Sequence, residues 1–253
     1  MAQPRLSSVR PLVRYVDESQ AVIDIHFTLL PMVPTHEEPA LPLGAVEVLV
    51  EMVGADGFFD EQRSRVDLRG LEGNVRMEIV HPERWWPAGM GEQSLYCFKV
   101  TLVHQGEATD MRTVTVGFTS VRMDHRRPCA NRAELLVNGQ VCPIDAVMPI
   151  DLIHERRLLP IAGHSLLIVR DHYGPDVLYE AADRAGILLI QCVPIDPAGK
   201  PEEGMADQVD RLSAHPSLCG WFVGHLGRIA DDVAARLHAL DPTRSVLRTV
   251  PVQ

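Results

Sequence analysis

Six side chains that could take part in catalysis or metal binding follow apolar runs with the composition of buried strands. They are Asp145, Asp171, His172, Gln191, Cys192 and His225. Carboxylates and imidazoles bind divalent metals, a histidine near an aspartate can act as a general base, and a cysteine near a histidine can act as a nucleophile. The sequence has no His-x-x-x-His or Cys-x-x-Cys spacing and no Gly-rich phosphate loop. We therefore favour ordinary polar positions satisfied by local hydrogen bonds, and we predict no metal and no cofactor.

The elements that would position these side chains alternate between strand and helix. Apolar runs predict strands at 165–169, 187–190, 217–223 and 246–250, and helical spacing predicts helices at 151–159, 176–185, 202–214 and 229–240. Gly186 suits the left-handed residue that ends many helices. This alternation predicts a parallel sheet whose carboxyl ends share one edge.

The first half of the chain has a β pattern instead. Short runs at 21–30, 45–53, 64–68, 74–79, 94–103 and 112–118 are rich in β-branched and apolar residues. They predict a β-sandwich of about 120 residues. Trp85, Trp86 and Tyr96 are expected to pack in the core or between domains rather than to bind sugars. Asn138-Gly139, between two apolar runs, predicts a type I′ hairpin.

Several motifs together resemble glycoside hydrolase family 2, which includes β-galactosidases, β-mannosidases and β-glucuronidases. They are HPERWWPAGMGEQSLY at 81–96, RDHYGP at 170–175 followed by LYEAADRAGILLIQ, HPS at 215–217 and LDPTRSV at 240–246. The resemblance implies an immunoglobulin-like sandwich over residues 1–123. It also implies that residues 124–253 form a truncated TIM barrel of about four to five βα units.

The same resemblance argues against the chemistry of the family. The family's fourth barrel strand typically ends in Trp-x-x-Gly-Asn-Glu, where the Glu is the acid/base; here Trp221 and Gly224 match, but His225 and Leu226 follow. Leucine cannot transfer a proton. The resemblance places the family's nucleophile near a seventh strand, whereas this sequence ends near the fifth.

Other positions that contact sugar in the family have also changed. Met148 stands where the family has Asn, and Gln191-Cys192 stands where it has Asp-Glu. The resemblance implies a vestigial site with no catalytic residue, lined by Asp145, Met148, Arg170, Asp171, His172, Gln191, Cys192, Trp221 and His225.

These features predict a pseudoenzyme that acts in carbohydrate binding or protein interaction. Two alternatives stay open. The chain could be an active glycoside hydrolase with a relocated site, or with the missing half of the barrel supplied by another chain. It could also be a scaffold whose sandwich contacts a partner protein.

Composition limits the environment and the partners. A net charge of −10 over 253 residues argues against a nucleic-acid-binding groove. No apolar run approaches the ~20 residues that cross a bilayer, which predicts no membrane association and a cytoplasmic protein, or a periplasmic or secreted one if an upstream signal was removed. The five cysteines are expected to be buried, reduced thiols. A partial barrel would expose two sheet edges, so we expect homo-oligomers through that half.

Overall fold

The computed structural model describes residues 3–30, 46–54, 57, 59–66, 71–124, 134–150, 165–195, 204–224 and 227–248. The first half consists of two antiparallel sheets. One has the strand order β1 (Leu6–Val16), β2 (Gln20–Leu29), β5 (Glu72–Val80). The other has the order β4 (Phe59–Val66), β3 (Val46–Val53), β6 (Tyr96–His104), β7 (Glu107–Val116). Apart from the missed β1, each of these strands overlaps a predicted run, although β4 and β7 each begin five residues before it.

A single apolar core joins the two sheets because their strands alternate in burial. In β3, Val46, Val48, Val50 and Met52 are buried, and the residues between them are less so. These side chains share a core with residues of β2, β5 and β6. The alternation is what period-two strand geometry produces when one face of each sheet turns inward.

β1, an edge strand of its sheet, is not predicted by the sequence pattern. Pro11 lies in its middle opposite Ile25, and a proline is tolerated there because an edge strand needs hydrogen bonds on one side only. Arg10 and Arg14 reduce the apolar character of the segment. It therefore lacks the composition by which the other strands are predicted.

The first sheet carries a buried carboxylate on the face opposite the core. Asp24 Oδ1 accepts a hydrogen bond from Arg76 Nε at 2.7 Å, and its Oδ2 accepts from Arg14 Nε at 2.9 Å. The Asp24 side chain is only 3% exposed. Hydrogen bonding to Arg76 first, and then to Arg14, lowers the pKa of Asp24 below its ordinary value.

We expect Asp24→Asn to lower the unfolding free energy by about 2 kcal/mol at pH 7, less than for a fully buried ion pair because Arg76 is largely exposed. The unfolded state binds more protons than the folded state below about pH 5, so the contribution of Asp24 is complete above that pH and is lost as the pH falls toward its depressed folded pKa. Urea unfolding should show that the difference in unfolding free energy between wild type and Asp24→Asn is smaller at pH 4 than at pH 7. A gap that stays constant would contradict the assignment, and Glu180→Gln, in an exposed pair, is the control.

A small antiparallel sheet follows the two large ones. It has the order β10 (Gln140–Val141), β9 (Glu134–Val137), β8 (Val121–Asp124). Asn138 and Gly139 connect β9 to β10 with φ angles of 51° and 82°. Two consecutive positive φ values are the mark of a type I′ turn, so the predicted hairpin is confirmed.

The second half contains a five-stranded, wholly parallel sheet in sequential order. Its strands are β11 (Ala146–Ile150), β12 (Ser165–Val169), β13 (Leu188–Cys192), β14 (Leu218–Phe222) and β15 (Ser245–Leu247). Helices α1 (Asp176–Ala185), α2 (Met205–Leu212) and α3 (Arg228–Leu240) connect them. Gly186 ends α1 at φ 69°, as predicted. The helix predicted at 151–159 lies outside the described residues.

The two faces of the parallel sheet are covered differently. Leu167, Val169, Leu189 and Trp221 pack on the helices; we call this the helix-side core. The alternate residues of the strands pack on Trp85 and on the small sheet; we call this the junction core. Its members are Trp85, Val121, Leu135, Val137, Cys142, Leu166, Ile168, Leu188, Ile190, Cys219 and Leu247.

Close polar contacts hold the two halves together. Trp85 Nε1 donates to the backbone oxygen of Asp183 at 2.7 Å, and Arg10 pairs with Asp210 of α2 at 2.7 Å. Gly186 lies so near Ala88 that a Cβ added to the glycine would clash with the Ala88 nitrogen. The predicted packing role of Trp85 is thereby confirmed. None of the described helices is both long and apolar enough to span a membrane.

Candidate functional site

The carboxyl ends of β12, β13 and β14 form the edge of the parallel sheet where α/β proteins place reactive and binding groups. Arg170 to Gly174 follow β12, and Cys192 ends β13; we call residues 170–174 the rim loop. Arg170 and Asp171 are exposed, whereas His172 and Tyr173 are half-buried. Arg170 and Asp171 both lie near enough to Cys192 to act on its pKa. The structure thus brings together four of the residues that the sequence predicts.

The rim loop has an unusual backbone conformation. Asp171 has a φ of 62°, in the left-handed region that aspartate tolerates better than most residues other than glycine. His172 Nδ1 lies 2.7 Å from the backbone oxygen of Arg170, so this nitrogen carries the proton and donates it. Such a conformation persists only when surrounding contacts determine it.

Those contacts come largely from Gln191, which is wholly buried. Its Oε1 accepts hydrogen bonds from the Tyr179 hydroxyl at 2.6 Å and from Gly174 N at 3.2 Å. Its Nε2 donates to the backbone oxygens of His172 at 2.8 Å and Cys192 at 2.6 Å. Gln191 follows Ile190 of the junction core, so its side chain points to the helix side. It does not line the site, contrary to the expectation from the sequence.

A second set of contacts holds the far end of the rim loop. Arg211 of α2 donates from Nη2 to the backbone oxygen of Gly174 at 2.7 Å, and its Nη1 pairs with Asp176. Gly174 packs closely on α1: a Cβ there would lie 2.9 Å from Leu178 Cδ2 and 3.0 Å from Tyr179 Cε2. A side chain at position 174 would require the side chains of Leu178 and Tyr179 to shift.

Cys192 is not suited to nucleophilic catalysis. Its burial raises the pKa of the thiol to about 11, with opposing effects from Arg170 and Asp171. A thiol with that pKa is protonated at neutral pH, whereas a nucleophilic cysteine needs a lowered pKa. Burial also raises the pKa of Cys142 to about 11 and that of Cys219 to about 12. Cys97, contrary to the expectation of buried thiols, is exposed.

Three other predicted site residues lie elsewhere. Asp145 precedes β11 and therefore lies at the opposite, amino edge of the parallel sheet. Met148 is the third residue of β11, opposite Leu167, and packs on the helix-side core rather than at a strand end. Trp221 is wholly buried and donates from Nε1 to Asp241 Oδ2 at 2.9 Å. His225 and Leu226 lie outside the described residues.

Neither metal binding nor sugar stacking on the sandwich tryptophans finds support in the contacts. In the part of the chain that the structure describes, no three His, Cys, Asp or Glu side chains are grouped as metal ligands. Trp85 is buried. The ring of Trp86 is covered by the Arg84 guanidinium, 4.9 Å from its centroid.

An acid–histidine pair with a buried aspartate lies at the amino edge of the sheet, where no site was predicted. Asp183 Oδ2 lies 2.6 Å from His215 Nδ1, and Asp183 Oδ1 accepts from Ser217 N at 3.0 Å. The His215 ring also lies against Tyr179, with centroids 5.3 Å apart. The HPS motif was the available signal, but nothing in the sequence alone connects it to Asp183.

The chain thus has a β-rich half followed by a parallel α/β sheet with polar groups at its carboxyl edge. The family model "Glycosyl hydrolases family 2" matches residues 45–118. β-Mannosidase A of Emericella nidulans is 26% identical over 222 residues, which covers 74% of this chain and 24% of that protein. Exo-β-D-glucosaminidase of Streptomyces avermitilis is 25% identical over 175 residues, covering 58% of this chain and 19% of that protein.

Solved structures agree on the fold. A Bifidobacterium dentium β-glucuronidase, complexed with coumarin-3-O-glucuronide, superposes with a TM-score of 0.74 at 15% identity, covering 98% of this chain and 44% of that one. A family 2 member from Bacteroides cellulosilyticus gives 0.72 at 18% identity, with 98% and 35% covered. The chain is a glycoside hydrolase family 2-like protein. It spans about a fifth to a quarter of the length of the curated relatives named above.

Proposed function

We propose that the chain is a non-hydrolytic member of this group that binds a carbohydrate at the carboxyl edge of its parallel sheet. The observation that carries the proposal is the make-up of that edge. Among the described residues one or two positions after a strand of the parallel sheet, Asp171 is the one carboxylate. A retaining glycosidase needs two carboxyl groups roughly 5–5.5 Å apart, one as nucleophile and one as acid/base.

The sequence supports the same conclusion at two further positions. Leu226 stands where the family resemblance expects the acid/base Glu, and Gln191-Cys192 stands where it expects Asp-Glu. The Gln191 amide is fully used in holding backbone groups and the Tyr179 hydroxyl, and the Cys192 thiol is protonated at neutral pH. These groups supply neither a carboxylate nor a thiolate.

What remains at the edge suits binding better than catalysis. Arg170 and Asp171 present a planar donor and a planar acceptor to solvent, and such groups can pair with neighbouring sugar hydroxyls. Half-buried Phe222, at the end of β14, offers an apolar surface of the kind that packs on the C–H face of a pyranose. The named relatives act on β-mannosides and β-glucosaminides, so a β-linked hexose is the first ligand class to test.

The proposal also includes the division of the chain into two domains. We propose that the described parts of residues 1–123 belong to an immunoglobulin-like sandwich and those of residues 124–253 to a partial barrel, with β11 and β15 as the edge strands of the described sheet. Self-association through this half stays a prediction, as does the cellular compartment.

The test is a paired assay of turnover and binding. We expect no hydrolysis of nitrophenyl β-mannoside, β-glucosaminide, β-glucuronide or β-galactoside above the buffer rate. We expect at least one of the parent sugars to bind with a Kd on the order of 1 mM by saturation-transfer NMR and calorimetry. Arg170→Ala should weaken that binding about tenfold, and Arg184→Ala, on the exposed face of α1, should not. Turnover by the purified chain would overturn the proposal.

The Leu226→Glu variant tests whether the chain lacks only the acid/base group or the whole catalytic site. We expect this variant to remain inactive, as should the matched Leu226→Gln. Hydrolysis by the Leu226→Glu variant alone would mean that the chain retains a competent nucleophile, and the non-hydrolytic assignment would then rest on Leu226 only.

A further inference from the structure

Gln191 stands out because all four hydrogen-bonding positions of its amide are used, within a wholly buried side chain. Two groups donate to its oxygen, the Tyr179 hydroxyl and Gly174 N–H, and its nitrogen donates to the carbonyls of His172 and Cys192. Three of these four partners are backbone groups, and two of those three belong to the rim loop.

Only a neutral amide fits this arrangement. A carboxylate accepts hydrogen bonds but donates none, so an ionised acid at position 191 would direct an oxygen at two carbonyl oxygens. The resemblance expects an acidic residue here, and a glutamine can provide both donations that an acid cannot. Glutamine in place of the expected acid therefore removes a charge and also allows position 191 to donate hydrogen bonds to two carbonyl groups.

The part of the chain that Gln191 holds is the part proposed to bind sugar. The Gln191 amide bonds to the rim loop at His172 and Gly174, immediately after Asp171 in its left-handed conformation. Arg211 holds the Gly174 carbonyl from the other side. With its ends fixed in this way, the loop presents Arg170 and Asp171 without further ordering, which reduces the entropy cost of binding.

We propose that Gln191 is a positioning residue whose neutral amide holds the rim loop in a preformed sugar-binding conformation. The inference rests on the proposed function for its ligand, although the loop's order can be measured without any sugar. Gln191 has no exposed surface and cannot itself touch a ligand, so its effect must pass through the loop.

The experiment compares Gln191→Glu with Gln191→Leu, which keeps the approximate volume and removes every hydrogen bond. Two readouts need no sugar: hydrogen exchange of the amides of residues 172–174, and labelling of Cys192 by N-ethylmaleimide, resolved by peptide mass spectrometry. We expect both to accelerate about tenfold or more at pH 7.5 in each variant, because buried backbone groups lose their partners. Labelling of exposed Cys97 in the same samples is the internal control.

Acid rescue distinguishes a hydrogen-bonding role from a space-filling one. In the Gln191→Glu variant, a protonated carboxyl group accepts with one oxygen and donates with the other, so it can restore one of the two lost donations. Relative to wild type at each pH, the Gln191→Glu loop should regain protection as the pH falls from 7.5 to 5, and the Gln191→Leu loop should not. Equal behaviour of the two variants at every pH would overturn the proposal.

Sugar binding is measured last, with the monosaccharide that binds wild type. We expect the Kd to rise about tenfold in both variants and to recover in acid only for Gln191→Glu. If wild type binds no sugar but the loop readouts behave as expected, the proposed function fails and the positioning role stands. If the variants do not fold, as judged by near-ultraviolet circular dichroism, the hydrogen-exchange rate of the Gly174 amide in wild type is the deciding measurement. A rate within about tenfold of that of an unstructured chain would overturn the positioning role of Gln191.

Discussion

Replacing Trp85 with alanine is expected to lower the unfolding free energy by about 4 kcal/mol, the largest effect of any substitution considered for this protein. The side chain is wholly buried in the junction core, among residues of the small sheet and of the parallel sheet. Removing it leaves a cavity between the two halves of the chain. It also leaves the backbone oxygen of Asp183 without its 2.7 Å partner.

Urea unfolding followed by far-ultraviolet circular dichroism measures this effect, and the fluorescence of Trp86 and Trp221 follows the rest of the molecule. Trp85→Phe retains an aromatic ring and loses the hydrogen bond, so we expect a smaller cost of about 2 kcal/mol. Trp86→Ala is the matched control: the neighbouring tryptophan is half-buried beneath Arg84 and should cost about 1 kcal/mol. A Trp85→Ala cost no greater than that of Trp86→Ala would show that the junction core does not join the halves.

The elements that the sequence predicts best carry strong local signals. The strand at 165–169 and the helix at 176–185 match the observed bounds, because a short apolar run and a helix ending at a left-handed glycine need no distant partner to be recognised. The Asn138-Gly139 turn is likewise recognised from its local sequence alone. β1 was missed because what makes it a strand is its pairing with β2, across a register that the sequence of β1 does not reveal.

The candidate site was less predictable, for a reason that concerns both faces of the sheet. Strand residues that are buried on either face look alike in sequence, so the direction of Gln191 could not be read from LLIQC. The structure shows that Gln191 faces α1, and that Asp145 is at the wrong edge because β11 begins after it. Of the predicted lining residues, the structure brings Arg170, Asp171 and His172 near Cys192.

Hydrogen bonds and ring contacts connect the junction between the halves to the rim loop. Trp85 donates to the carbonyl of Asp183, whose carboxylate binds His215, and the His215 ring lies against Tyr179. The Tyr179 hydroxyl in turn donates to Gln191. Asp183 is therefore the residue where packing of the β-rich half and order at the carboxyl edge of the sheet meet. Loss of its side chain leaves the backbone oxygen bonded to Trp85 and removes the contact with His215, so we expect the effect on the Tyr179 side.

Asp183→Ala is expected to cost about 3 kcal/mol of unfolding free energy. The carboxylate is 3% exposed and accepts from His215 Nδ1 at 2.6 Å and from Ser217 N at 3.0 Å, so its loss leaves a buried and a partly buried donor without this acceptor. Asp183→Asn retains an acceptor for Ser217 and should cost about 1–2 kcal/mol. Glu180→Ala, one turn earlier on the same helix and exposed, should change stability by less than about 0.5 kcal/mol.

A double-mutant cycle with His215→Ala tests whether the pair acts as one unit. If it does, the double variant should be more stable than the sum of the single losses implies, by about 1–2 kcal/mol, because the second substitution removes a group that the first has already left unpaired. Additive losses would mean that Asp183 acts through Ser217 alone. Hydrogen exchange of residues 172–174 in the same variants then shows whether the disturbance travels through Tyr179. Accelerated exchange there, with the Tyr96–His104 strand unaffected, is the result we expect.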